Sequence, residues 1–489
     1  MLLDSNQCYR ALCTHDARFD GRFFVGVSTT RIYCRPVCTA RTPNRDNCHF
    51  FPSAAAAESG GYRPCLRCRP ELAPGYAAVD AHRRLAQSAA GLIEDGRLAD
   101  ARLPDLAQAL GVTDRHLRRV FQQEFGVAPV EFAQTQRLLL AKRLLTDTDM
   151  AVLDVAMASG FASLRRFNHL LRTRYRMTPA ELRRKSPARS PGDRLSFDLG
   201  YRPPYDWEAM LAFLERRRIA GVEAVEKRTY LRTVRIERLG PGLRRGDDAQ
   251  ASRVGWITVA PSKRRSALRV TVSASLAGVI PQLLSRVKHL FDLACHPEEI
   301  SEALGPLAAA HPGLRLPGAI DGFEVAVRAI LGQQVTVKAA STLAARFAQA
   351  FGEPFETPHA QLRVLFPTPA AIAALDHGDI ARLGVIAGRA RAIIALAREM
   401  AEGRLRLEAT SPVDPTVAAL EALPGVGPWT AQYIAMRALA WPDAFPHPDV
   451  AVLKAMKLTV AARALKDSDA WRPWRAYAVL HLWKSLEAS

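Results

Sequence analysis

The distribution of cysteine constrains this chain more than any other sequence feature. Seven of the eight cysteines lie within residues 8–68, and only Cys295 lies outside that segment. Four of them form two close pairs, with three residues inside the first pair, two inside the second and 26 between the pairs. Such pairs can converge on one tetrahedral ion, and zinc accepts four thiolates without geometric preference. The alternative is a set of reduced structural cysteines without metal. The predicted Zn²⁺ ligands are Cys34, Cys38, Cys65 and Cys68.

The net charge restricts the class of partner. The 489 residues include 67 Lys and Arg against 48 Asp and Glu, a net charge of +19, which indicates a polyanionic partner, with nucleic acid as the default candidate. A basic protein on a membrane surface is the alternative, but we find no long basic amphipathic helix and no lipidation motif. The charged N-terminus lacks a signal-peptide core, and no run of about 20 apolar residues occurs. We therefore expect a cytoplasmic, nucleoid-associated protein with no membrane partner. The three remaining N-terminal cysteines, Cys8, Cys13 and Cys48, are expected to be packing residues and not metal ligands.

Changes of pattern along the chain predict a multidomain, mainly α protein. Residues 78–185 show apolar positions at helical spacing, whereas three alternating runs within 195–310 predict strands at 229–239, 255–261 and 266–275. A basic, proline-containing stretch between these two regions predicts a linker. The predicted order is a small zinc-bound α+β domain (1–76), an all-α tandem helix-turn-helix domain (77–185), a linker (186–194), an α+β subdomain (195–310) and an all-α helix-hairpin-helix domain (311–489).

Two segments of the second domain follow the helix-turn-helix pattern, at residues 103–121 and 152–168. Gly111 and Gly160 suit the left-handed turn after a first helix, and Thr113 and Ser163 suit the N-cap of a second helix. A second helix of this kind lies in the DNA major groove, where Arg reads guanine and Asn reads adenine. The alternative is a helical bundle with a solvated basic face. The side chains expected to contact DNA are Arg115, Arg118, Arg119, Arg165, Arg166 and Asn168.

The C-terminal domain contains the helix-hairpin-helix signature LPGVGPWTA at 423–431. Gly425 and Gly427 allow backbone amides to approach a DNA phosphate, and Pro428 suits the start of the next helix. Asp449 follows His447-Pro448 and precedes an apolar run. Taken alone, Asp449 is more often a helix N-cap than a catalytic carboxylate, and both roles are compatible.

The cysteine region resembles the N-terminal domain of the Ada family, in residues 29–38 and 63–70. The resemblance implies a structural zinc whose first ligand, Cys34, also accepts a methyl group from a DNA methyl phosphotriester, once per molecule. A zinc-bound sulfur stays a thiolate and is nucleophilic. Methylation removes one formal negative charge, so DNA affinity is expected to rise. A purely structural zinc is the alternative. The family commonly has Gly at the position of Arg31.

The tandem units, followed by TRYRMTPAELR at 173–183, resemble the AraC-type DNA-binding domain. From 202 to the end the chain resembles the AlkA family of 3-methyladenine DNA glycosylases, through segments at 291–297, 313–318 and 326–335, the hairpin, and 472–483. This resemblance implies Asp449 as the catalytic carboxylate and a glutamine, Gln334, where the family places its strand-wedge leucine. Burial in the core is the alternative for the implied lesion-pocket residues, which are Trp429, Tyr433 and Trp483.

Together the resemblances imply a DNA alkylation-repair protein that also regulates transcription, with double-stranded DNA as its partner and RNA polymerase as a further candidate partner. Trp429 stands where bifunctional relatives place a Schiff-base lysine, so we expect base excision without strand cleavage. No Pro-Cys-His-Arg segment occurs, so we expect no O6-methylguanine methyltransferase half. One alternative is a regulator whose C-terminal domain binds DNA without excising bases. The other is an enzyme whose helix-turn-helix units only hold it on DNA.

Overall fold

A computed structural model describes residues 4–73, 81–94, 103–184, 194–237, 252–263 and 265–487. The predicted linker 186–194 lies outside these residues except for Arg194, which already begins a strand. Within the described ranges, no helix combines the length and the apolar character needed to cross a bilayer.

A four-stranded sheet of order β3-β1-β2-β4 organises the N-terminal part. Strand β1 pairs antiparallel with β2 and β3, whereas β2 pairs in parallel with β4. The parallel pair brings the two cysteine pairs together, because β2 ends at Cys34 and the Cys65 N–H, just after β4, donates to the Tyr33 carbonyl at 3.0 Å. The elements are α1 Ser5–Cys13, β1 Phe24–Val27, β2 Ile32–Cys34, β3 Cys48–Phe51, α2 Ala54–Ser59 and β4 Arg63–Pro64.

The next part is helical, and it contains both predicted helix-turn-helix units. Gly111 and Gly160 adopt φ values of +68° and +79°, where a side chain is strained. Thr113 and Ser163 each accept a hydrogen bond from the backbone N–H three residues on, at 3.3 Å and 3.4 Å, and so cap α5 and α8. Both predicted turns and both predicted caps are confirmed. The helices are α3 Ala81–Glu94, α4 Leu103–Ala109, α5 Asp114–Phe125, α6 Pro129–Asp147, α7 Val152–Ala158, α8 Leu164–Tyr175 and α9 Pro179–Arg184.

The third part is an antiparallel five-stranded sheet of order β5-β9-β8-β7-β6, with helices around it. The three predicted strands are β7, β8 and β9. The outer strands were not predicted, although β5 carries an alternating signal with Leu195, Phe197 and Leu199 buried. The elements are β5 Arg194–Gly200, α10 Trp207–Arg216, β6 Glu223–Glu226, β7 Thr229–Glu237, β8 Ser252–Pro261, β9 Ala267–Ser273, α11 Ile280–Leu290, α12 Pro297–Leu304 and α13 Pro306–Ala309.

The last part is almost entirely helical, as predicted, with one two-stranded hairpin. The predicted helix-hairpin-helix is formed by α19 and α20, and α20 begins at Pro428. Its elements are α14 Gly322–Leu331, α15 Val337–Phe351, β10 Glu353–Pro354, β11 Val364–Leu365, α16 Pro369–Ala373, α17 His377–Ala381, α18 Ala387–Ala401, α19 Val413–Glu421, α20 Pro428–Ala438, α21 Val450–Ala455, α22 Ala461–Asp467 and α23 Arg475–Ser485.

The hydrophobic cores do not follow the order of the elements. The first helix-turn-helix unit shares a core with Ala55 and Ala56 of α2. The second unit shares a continuous core with the five-stranded sheet and the C-terminal helices. Helix α6 contributes to both, through Phe132 on one side and Leu138 on the other.

Candidate functional site

The four predicted zinc ligands converge. The sulfurs of Cys34, Cys38, Cys65 and Cys68 all lie within 4.8 Å of one another. Tetrahedral thiolate coordination with Zn–S bonds of about 2.3 Å needs sulfurs roughly this close. The donor set and its compactness therefore fit a zinc ion.

The four cysteine residues differ in burial. Cys34 is half-buried, whereas the other three are buried. The Arg35 backbone N–H donates to the Cys68 sulfur at 3.4 Å, and the Arg35 guanidinium donates to the Cys68 carbonyl at 3.1 Å and to buried Asp20 at 2.8 Å. These contacts support Cys68, whereas Cys34 is the least buried residue of the four.

Three further observations concern the same region. Cys8 and Cys48 are buried, as expected of packing residues, but Cys13 is exposed, so that expectation was wrong for Cys13. Arg31 adopts φ +53°, the region that favours the glycine of the family pattern. Its guanidinium lies over the Tyr62 ring at 5.5 Å, a cation–π contact that helps to hold the turn.

The predicted DNA-contacting side chains lie on α5 and α8. Arg115, Arg165 and Arg166 are exposed, and none of their guanidinium groups makes a hydrogen bond or ion pair among the described residues. Arg118 instead pairs with Asp114 at 2.9 Å, and Arg119 contacts His116 at 3.2 Å. The partner-free cations are the ones most available to a ligand. Asn168, also predicted, is half-buried.

The Asp449 carboxylate accepts hydrogen bonds from residues of three C-terminal helices, α20, α21 and α23. Its Oδ1 accepts from the Val452 N–H at 2.9 Å and so caps α21. The same oxygen accepts from the Trp483 indole at 3.2 Å, and Oδ2 accepts from the Trp429 indole at 2.8 Å. Asp449 is therefore both a helix cap and a half-buried carboxylate held by two aromatic side chains.

The three predicted pocket aromatics lie together beside that carboxylate, and we call this group the aromatic cleft. Trp429 and Tyr433 stack with centroids 5.3 Å apart and planes 13° from parallel, and Tyr433 lies 6.4 Å from Trp483. All three are partly exposed, unlike ordinary core aromatics. Their apolar surfaces can therefore receive a planar ligand beside a negative charge.

Sequence analysis did not identify Arg437, a buried cation that contacts Tyr433. Arg437 donates to the Tyr433 hydroxyl at 2.8 Å and to the Gly318 carbonyl at 3.0 Å. Burial alone raises the pKa of Tyr433, but Arg437 and Arg217 outweigh it and lower the pKa below its ordinary value. The one available signal was that Arg437 follows Tyr433 by one helical turn.

The turn of the helix-hairpin-helix, residues 422–427, lies beside the loop of residues 332–336, which contains the predicted wedge position 334. Gly425 has φ +79°, and Gly427 is exposed with open space around its α-carbon. Gln334 is exposed with φ +53° in the loop between α14 and α15. Gln333, which sequence reasoning did not single out, donates to the Gly425 carbonyl at 2.9 Å. The two neighbouring glutamines therefore take opposite directions, one toward the hairpin and one toward solvent.

Comparison with known families follows the same division. Four family models match: the metal binding domain of Ada at 7–71, a helix-turn-helix domain at 106–185, the AlkA N-terminal domain at 196–321, and the HhH-GPD superfamily base excision DNA repair protein at 327–470. The predicted multidomain, mainly α fold class is confirmed, and the cysteine cluster lies in the Ada-type metal-binding domain.

One relative decides the family. The probable bifunctional transcriptional activator/DNA repair enzyme AlkA of Mycobacterium tuberculosis is 39% identical over 99% of this chain and 97% of its own length. This chain belongs to that family of bifunctional activator/repair enzymes.

Other members of the wider group match single parts of the chain. DNA-3-methyladenine glycosylase 2 of Escherichia coli is 38% identical over 59% of this chain and 96% of its own length. The bifunctional transcriptional activator/DNA repair enzyme AdaA of Bacillus subtilis is 30% identical over 37% of this chain and 84% of its own length. The family thus joins a repair glycosylase to an Ada-type activator in one chain.

Proposed function

We propose that this protein excises alkylated bases of the 3-methyladenine and 7-methylguanine type from duplex DNA, and that its N-terminal half senses alkylation and activates transcription. The observation that carries the excision proposal is Asp449, a half-buried carboxylate held by the indoles of Trp429 and Trp483. Family membership supports the same function.

The geometry supports a definite order of events. A damaged base leaves the duplex and stacks against the pair formed by Trp429 and Tyr433. N-alkylated purines carry positive charge, so each cation–π contact contributes roughly 0.5 to 2 kcal/mol. Asp449 stabilises the positive charge that develops on the sugar as the C–N glycosidic bond breaks and the alkylated purine leaves as a neutral base. Water then adds at the sugar carbon and releases one proton to the solvent. No lysine stands at position 429, so the product is an abasic site in an uncut strand.

The test is release of 3-methyladenine from methylated duplex DNA by wild type and by Asp449→Asn. Asparagine remains a good N-cap, so α21 keeps its cap while the charge is lost. We expect a fall in kcat of about a hundredfold or more. Asp414→Asn is the matched control, because Asp414 is exposed in the first turn of α19 and should leave the rate unchanged.

The competing function, a regulator that binds DNA without excision, makes the opposite prediction. It requires equal, background-level release by wild type and Asp449→Asn. That result would reduce the C-terminal half to a DNA-binding module.

A second activity is favoured by the accessibility of Cys34. The residues that would hold one structural Zn²⁺ are Cys34, Cys38, Cys65 and Cys68, and the bound ion would keep their sulfurs as thiolates at neutral pH. The Cys34 sulfur attacks the methyl carbon of a DNA phosphotriester. A C–S bond forms, the C–O bond breaks, and the phosphodiester anion leaves. The thioether persists, so each molecule reacts once.

Mass spectrometry of the full chain after incubation with phosphotriester DNA tests this activity. We expect one added methyl group on the peptide containing Cys34 and none in Cys34→Ser. Cys13→Ser is the control, because Cys13 is exposed but lies outside the cluster. Methyl on another cysteine, or none with the zinc still bound, would show a purely structural site.

The helix-turn-helix units supply the response. We propose that α5 and α8 bind promoter DNA through Arg115, Arg118, Arg119, Arg165, Arg166 and Asn168, that methylation of Cys34 raises this affinity, and that the bound protein recruits RNA polymerase at the nucleoid. A promoter-binding assay with and without methylated Cys34 decides the matter. Equal affinity for any sequence in both states would instead mean that these units only hold the enzyme on DNA.

A further inference from the structure

The loop that carries Gln334 is tied to the hairpin by its neighbour, Gln333. The Gln333 amide nitrogen donates to the Gly425 carbonyl and to the Thr430 hydroxyl, both at 2.9 Å. Gly425 is in the turn predicted to bind phosphate, and Thr430 is a buried residue of α20, next to Trp429. The side-chain amide of Gln333 therefore connects its own loop to the turn before α20 and to α20 itself, which carries Trp429 and Tyr433.

A second contact holds the same loop from the other side. The Arg389 guanidinium, on α18, donates to the Gln333 backbone carbonyl. Gln333 is thus held through both its side chain and its main chain. The next residue, Gln334, has a left-handed backbone and an exposed side chain, which a held loop can maintain against its conformational cost.

We infer that Gln333 is a positioning residue that couples phosphate capture at the hairpin to opening of the duplex by the 334 loop. The inference rests on the excision function proposed above. Phosphates bound at Gly425 and Gly427 fix the DNA relative to α20, and the Gln333 amide fixes the loop relative to that same helix. A loop held in this way enters the base stack at one position beside the cleft. A loop without these contacts would lose conformational entropy at each encounter with DNA, which would oppose base extrusion.

The inference predicts a defect in base extrusion and not in bond cleavage. A base opposite its partner must be unpaired, whereas a base opposite an abasic-site analogue leaves the stack easily. For Gln333→Ala we expect kcat/KM to fall about tenfold on the paired lesion, as the loss of two neutral hydrogen bonds suggests, and less than about twofold on the unpaired lesion. The ratio of the two rates does not depend on the folded fraction, so a merely destabilised variant leaves it unchanged.

Two further variants sharpen the test. Gln333→Glu keeps the shape of the side chain but replaces the donating nitrogen with an oxygen that faces the Gly425 carbonyl. Its kcat/KM on the paired lesion should therefore fall at least as far as that of Gln333→Ala. Gln349→Ala removes an exposed amide on α15 that makes no hydrogen bond among the described residues, and it should behave as wild type. A Gln333→Ala variant that loses activity equally on both substrates, or on neither, would overturn the inference.

A readout that needs no excision separates this inference from the proposed function. In full-length protein with Asp449→Asn, emission from 2-aminopurine placed opposite thymine reports extrusion directly. Gln333→Ala in that background should lower the emission change on paired DNA and spare it on unpaired DNA. If wild type released no base, the proposed function would fail, but this emission assay would still decide the role of Gln333.

Discussion

At the scale of single residues, the carboxylate of Asp449 accepts hydrogen bonds from three donors of two kinds. A backbone N–H makes it a helix cap, and two indole N–H groups make it part of the aromatic cleft. Hydrogen bonds to a charged acceptor are stronger than neutral ones and orient it more firmly. The cap and the cleft are therefore one structure, and a change in either indole should alter the position of the charge.

Trp483→Phe tests this linkage. Phenylalanine keeps an aromatic face beside Tyr433 but removes the N–H that reaches Asp449 Oδ1 at 3.2 Å. We expect kcat for base release to fall about tenfold, the size of one lost hydrogen bond to a charged group, with a smaller change in KM. Single-turnover kinetics at saturating enzyme measure this. A change in KM alone would assign Trp483 to base stacking only.

At the scale of elements, the second helix of each helix-turn-helix unit begins in the same way. A left-handed glycine ends the preceding turn, and a hydroxyl cap starts α5 or α8. The cap sets the direction in which the first exposed turn presents its arginines. Helix α8 contains no acidic residue, so it depends on Ser163 more than α5, whose first turn also includes Asp114.

Ser163→Ala should therefore destabilise α8 by about 1 kcal/mol and weaken promoter binding, whereas Ser163→Asn, which still caps, should do neither. Hydrogen exchange of the peptide containing α8 measures the first effect, and fluorescence anisotropy with promoter DNA measures the second. Equal protection of α8 in wild type and Ser163→Ala would show that packing of Phe167 and Leu171 alone holds this helix.

At the scale of the whole molecule, the parts are joined by buried polar groups as well as by shared cores. Glu58 of α2 accepts from the hydroxyls of Tyr33 and Thr135 at 3.0 Å and of Tyr175 at 3.3 Å. Tyr33 precedes Cys34 on β2, and Tyr175 ends α8. One buried carboxylate thus connects the strand of the cysteine cluster to the second helix-turn-helix unit.

Burial raises the pKa of Glu58 to about 7, even though three hydroxyls and Arg174 favour its charged form. The folded state therefore holds this proton more tightly than the unfolded chain does. The stability contributed in this way is fully present below about pH 4.5 and is lost as the pH rises through 7, by about 3 kcal/mol at most.

Glu58→Gln removes this titration while retaining an acceptor for the tyrosine hydroxyls. Local opening of α2, followed by hydrogen exchange between pH 5 and 8, should become easier with rising pH in wild type. The difference in opening free energy between wild type and Glu58→Gln should grow over that range. Parallel pH profiles for the two proteins would contradict the assignment.

Local sequence determined the features that depend on near neighbours along the chain. The paired cysteines, the glycine turns with their hydroxyl caps, the hairpin glycines and the three alternating strands all follow from short-range geometry, and the structure contains them. Their roles in the wider fold came from resemblance over long segments. Neither source indicated which of the four clustered cysteines is least buried, or which exposed arginines already have partners. Burial and pairing depend on which elements of the tertiary structure pack against each side chain.

Only the tertiary structure decided the long-range contacts. Gln333 meets Gly425 across 92 positions, and Glu58 meets Tyr175 across 117. Side-chain periodicity carries no information about such partners, because it describes only which face of an element is apolar. The same limit explains why the two helix-turn-helix units, alike in sequence pattern, belong to different cores: α6 is long enough to reach both, and each unit packs on whichever apolar surface the rest of the chain brings to it.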